Sequence, residues 1–89
     1  MNSSEGLKGM WIAYADHDEP IIAIFGRVIL DQFNASTMGE VEVKAEYIRA
    51  RWTHTEERSG WITVLDDETF EKREDALLYL FKSLFEDYT

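Results

Sequence analysis

From Ala76 onward, apolar residues fall at Leu77, Leu78, Leu80, Phe81, Leu84, Phe85 and Tyr88, the spacing of a helix with 3.6 residues per turn. That segment constrains the fold more than any other, because the apolar runs before it are short and β-branched. The chain therefore reads as α+β: an antiparallel sheet of three to four strands packed by one C-terminal α-helix. Glu71, Glu74 and Asp75 stand before and within the first turn, where the helix dipole favours acids. Phe70 is placed to pack back onto the first turns. If the helix starts at Arg73, Lys72 is its N-cap and a poor one; Thr69 would cap an earlier start better.

Upstream, Met10–Ala15 (MWIAYA) and Ile21–Phe25 (IIAIF) have strand composition, and the DHDEP of 16–20 between them reads as a turn with Pro20 fixing φ. Residues 27–34 admit a short helix or an extra strand. The strand is the better reading, with Gly26 at a bulge or bend, because the β-branched run resumes directly after the glycine. Asn34–Gly39 has loop composition. Val41, Val43, Ala45 and Tyr47 then alternate with Glu42, Lys44 and Glu46, after which Ile48, Ala50 and Trp52 become the apolar set. Either a bulge near Tyr47–Ile48 or a strand crossing between two packing environments accounts for the change of phase. TEERSG (55–60) reads as a hairpin loop and WITVL (61–65) as the returning strand. An even loop would put Trp61 on the face of Ile48, Ala50 and Trp52, and Arg49 and Arg51 with Ile62 and Val64 on the other. Residues 1–9 form a flexible lead-in, and 10–89 a single domain.

The bulk numbers narrow the chemistry. With 45% apolar and 13% aromatic residues, the chain can bury a core. Without cysteine, disulfides, thiolate catalysis and Cys-based zinc sites are excluded, and a reducing, cytoplasmic setting is expected. No apolar run reaches the length of a membrane span. Serines lie in the tail, in loops and on the helix, away from either histidine, and the glycines form no phosphate-binding loop. Asp16-His17-Asp18-Glu19 holds metal-ligand chemistry, yet four consecutive turn residues cannot converge on one ion. The expectation is a non-enzyme with no metal and no cofactor.

Eighteen acids against nine bases leave a net charge of −9, which opposes direct nucleic-acid binding and favours a basic protein partner. The candidate contacts are Asp66, Asp67, Glu68, Glu71, Glu74 and Asp75, with Asp16, Asp18 and Glu19 second. Glu86 and Asp87 close the helix against its dipole, a placement kept for something other than helix stability. An array of carboxylates on a small rigid domain can imitate a row of phosphates. In size, charge and architecture the chain resembles the small acidic inhibitors of bacteriophages, the anti-CRISPR and anti-restriction DNA mimics, and is similar to bacterial immunity proteins. The resemblance implies a protein that occupies a basic surface in a bacterial cytoplasm, and a sheet apolar on both faces under one helix leaves monomer or homodimer open. The alternative is a sheet-and-helix domain binding nucleic acid or an accessory subunit through Arg49, Arg51, Trp52 and Trp61, which combine charge with stacking surfaces.

Overall fold

The computed structural model describes residues 7–17, 20–35 and 38–85. Among these, five strands and one helix follow in the order β1 (Trp11–Asp16), β2 (Ile22–Ala35), β3 (Glu40–Ala50), β4 (Thr55–Leu65), β5 (Thr69–Phe70) and α1 (Arg73–Phe85). All pairings are antiparallel, and the strands lie side by side as β4-β3-β2-β1-β5. The α+β expectation holds. The strand count rises above four because Thr69 and Phe70, on the approach to the helix, pair with Ile12 and Trp11.

β4 and β5 occupy opposite edges of the sheet, yet only the 3-10 turn Asp66–Glu68 separates them in the chain. In a flat five-stranded sheet those edges would stand about 19 Å apart, whereas a three-residue 3-10 turn rises about 6 Å. The sheet must therefore curl until its edges nearly meet. β2 supplies the bend. Its register against β3 slips between Val28 and Phe33, and past Arg27 it runs on beyond its partner β1.

The concave face of the curl holds the core. Ile12, Val28, Val43 and Val64 are fully buried there, with Ile24, Val41 and Ala45 beside them. Each fully buried side chain of this size contributes about 1.5–3 kcal/mol. No helix is needed on that side, because the sheet covers itself. α1 lies instead on the convex face, chiefly against β1. Ala13 and Ala76, both 0% exposed, mark this seam and let the helix approach the strand closely.

The register corrects several expectations. Gly26 sits in regular pairing opposite Tyr47, and a Cβ there would stand 2.3 Å from Tyr47 Cβ and 2.4 Å from the Glu46 carbonyl oxygen. It is kept by close approach, while the irregularity falls three residues or more later. β3 pairs with β4 without a break, so its phase change is a crossing between environments rather than a bulge. TEERSG is strand, not loop. The hairpin turns at Trp52-Thr53, closed by the Arg51 N–H donating to the His54 carbonyl at 2.9 Å. Because that loop is even, Trp61 does share a face with Ile48 and Ala50, and Arg49 with Ile62 and Val64. Asn34 and Ala35 belong to β2, and the described part of the following turn is Met38-Gly39, both with positive φ.

The lead-in is tied down from Leu7. Gly9 N–H donates to the Val28 carbonyl and Arg27 Nε to the Gly9 carbonyl. Residues 1–6 lie outside the described residues, as do Glu86, Asp87 and Tyr88. No described helix is long and apolar enough to cross a membrane.

Candidate interaction surface

The acidic stretch divides into two environments. At the 3-10 turn, Glu68 folds back on its own backbone. Its Oε1 accepts from the Leu65 N–H at 2.9 Å, and its Oε2 accepts from the Tyr79 hydroxyl at 3.3 Å. Burial pushes the Glu68 carboxyl above its ordinary value, although both hydrogen bonds oppose the shift. Glu68 is therefore a clasp between turn and helix, not a free contact. The Asp66 backbone is also engaged: its N–H donates to Gly39 and its carbonyl accepts from Thr69 Oγ1. The Asp66 and Asp67 side chains are exposed.

Glu71, just before α1, is exposed, and so are Glu74 and Asp75, which share the outward side of α1 with residues expected to be core. Leu78, Phe81 and Phe85 are 55%, 55% and 61% exposed. At 100° per residue, positions 74, 75, 78, 81, 82 and 85 fall within one half of the helix surface. Ala76, Leu77, Leu80 and Leu84 carry the inward side. The outward side is thus acidic at its N-terminal end and, apart from Lys82, apolar at its C-terminal end. A stripe this apolar on the solvent side was signalled by sheer density: the helix has more large apolar residues than one buried face uses.

The second acidic group is elsewhere. Asp16 ends β1, roughly 16 Å along the strand from the Trp11–Phe70 pair at which Glu71 follows. It borders a cleft of about 340 Å³ with Tyr14, Tyr47, Arg49 and Arg58. Burial, and after it the Glu68 carboxylate, raises the Tyr14 hydroxyl above its ordinary value. Asp18 and Glu19 lie outside the described residues.

Arg49, Arg51, Trp52 and Trp61 do not converge. Arg49 faces the concave cleft, directly opposite Glu56, whose carboxylate lies 3.4 Å from His54 Nε2 and 3.6 Å from Arg58 Nη1. Trp61 stands on the convex face opposite Lys44, Arg51 opens the hairpin turn and Trp52 lies within it. Neither tryptophan is core, with Trp52 76% and Trp61 46% exposed.

Sequence reasoning missed an aromatic–arginine cluster on the convex face. Trp11 stacks on Phe25 at 5.5 Å, the Arg27 guanidinium lies 4.9 Å from the Trp11 ring centre, and Arg73 sits over both rings. The cross-strand register of β1 and β2 creates it, and no local motif announces it. Comparison with family models, curated proteins and solved structures finds no match.

Proposed function

We propose that the protein is a non-enzymatic binding module that docks the outward side of α1 onto a basic protein partner. One observation carries the reading: along α1 the exposed stripe of Leu78, Phe81 and Phe85 continues directly from Glu74 and Asp75, with Glu71 just before the helix. Contiguous exposed apolar surface on a small domain marks a place of contact. An amphipathic helix lying in an apolar groove is a recurrent way to bury such a stripe. The carboxylates and the net charge of −9 select a groove with a basic rim and speed the encounter. A domain bound in this way would block a nucleic-acid-binding surface, as an inhibitor of the anti-CRISPR, anti-restriction or immunity type does. Asp66 and Asp67 extend the acidic end, while Glu68 serves the fold.

The test is capture from the native host with three baits: the full chain, Phe81→Ser, and the triple change of Glu71, Glu74 and Asp75 to Gln, Gln and Asn. A basic protein retained by the first bait, lost by the second, and held by the third without its salt dependence is expected. Retention by Phe81→Ser, or an acidic partner, would overturn the reading.

A second reading keeps one specific observation. Tyr14, Tyr47, Arg49 and Arg58 line a single cleft, a combination that suits a nucleobase and its phosphate. Oligonucleotide-dependent quenching lost on Arg49→Gln would favour it over the helix face.

A further inference from the structure

Where the C-terminal end of α1 crosses the sheet, a groove of about 310 Å³ opens between Leu84 and Phe85 on the helix and the β2–β3 ladder beneath. Its floor is thin because Ala23 and Ala50, paired directly across the ladder, leave room that larger residues would fill. Ile21 and Trp52 complete apolar walls. Among the described residues, Arg51 alone brings a charge to the lining. Its backbone is fixed by the hydrogen bond that closes the hairpin, so the side chain starts from a rigid point. Its Nε is shielded from solvent and donates to no acceptor among the described residues. A guanidinium stays ionised at any accessible pH, and a buried donor left unmatched is costly.

We infer that this groove binds a small amphipathic carboxylic acid, its carboxylate taken by the Arg51 guanidinium and its apolar body lying along Trp52, Phe85, Leu84 and the two alanines. The forked donor edge of arginine matches a carboxylate, which accepts from Nε and a terminal nitrogen together. One arginine in a chain of net charge −9 compensates one negative charge, which selects a monoanion over a phosphate dianion. The volume is that of about ten non-hydrogen atoms at liquid density. Linear acids of medium length meet all three conditions. This site is distinct from the outward helix stripe, with which it shares only Phe85, and it does not depend on a protein partner.

The test is a titration of the full chain with octanoate, followed by ¹⁵N NMR at the Arg51 side chain and the Trp52 indole. Octanol and acetate serve as the uncharged and the tailless controls. A saturable shift centred on Arg51, Trp52 and Ala23 is expected with octanoate alone. Arg51→Gln should weaken it about tenfold or more, with the remaining backbone spectrum unchanged, and Arg51→Lys should restore only part of the loss. Equal binding of octanol, indifference to Arg51→Gln, or shifts that never saturate would each overturn the assignment.

Discussion

The hydroxyl of Tyr79, in the second turn of α1, donates to Oε2 of Glu68 in the 3-10 turn at 3.3 Å, while the other oxygen of that carboxylate caps Leu65. One side chain therefore joins the end of β4 to the helix.

That clasp has a pH signature. The folded state holds the Glu68 carboxyl above its ordinary value, so folding takes up a proton there. The sign follows from linkage: its contribution is fully present below the unfolded value and is lost as pH rises through the folded one. Glu68→Gln keeps an acceptor for Leu65 and removes the charge. Denaturant titrations should show the variant gaining on the native chain as pH rises above about 4.3, the ordinary glutamate value; a difference independent of pH would contradict the account.

Gly26→Ala should be severely destabilising, by about 3 kcal/mol, because the added methyl meets the Tyr47 Cβ and the Glu46 carbonyl rather than a movable side-chain tip. Chemical denaturation is the measurement, and a loss under about 1 kcal/mol would show that β2 and β3 can separate locally.

The two sides of the molecule should respond differently to loss of apolar bulk. Ile12→Ala, in the curled interior, should cost about 3 kcal/mol. Phe81→Ser, on the outward side of the helix, should cost about 1 kcal/mol or less while abolishing partner capture.

At the helix–sheet seam, Ala76→Leu should lower stability by about 1–3 kcal/mol, since the fully buried Ala76 has no room to grow against β1. Because α1 also covers the Trp11–Phe25 pair through Arg73, near-ultraviolet circular dichroism should change with it. Exposed pairs such as Arg58–Glu56 should matter far less: Glu56→Gln should shift stability by about 0.5 kcal/mol or less in a thermal melt.

Much of the architecture was readable because periodicity reports local geometry. The C-terminal helix, the β1–β2 hairpin and the two faces of β3 all follow from spacing, whereas the start of α1 at Arg73, after the β5 strand that takes Thr69, does not. TEERSG misled for two physical reasons. An edge strand is guarded by charges against unwanted pairing, so Glu56, Glu57 and Arg58 look like a loop. Gly60 serves the strand with a φ of +152° that side-chain-bearing residues rarely adopt, instead of marking a turn. The outward stripe of α1 was harder, because helical spacing shows which residues align but not which side is covered. Leu77 and Leu80 turn inward and Leu78 and Phe81 outward only once the sheet has curled and spent its other face on itself. For the same reason the acidic stretch could be located but not divided into the clasp at Glu68 and the free carboxylates beyond it.

The three-residue link between the two edges of the sheet also bears on how the chain reaches this structure. The Trp11–Phe70 pair joins the first strand to the last, so closure requires most of the polypeptide to be gathered first. The β1–β2 and β3–β4 hairpins can form early from neighbours in sequence, whereas β5 and the helix can settle only after β4 has come round. Such long-range pairing slows folding for a chain of this size. Cutting the chain between the hairpins should leave two pieces, neither of which can complete the ring alone.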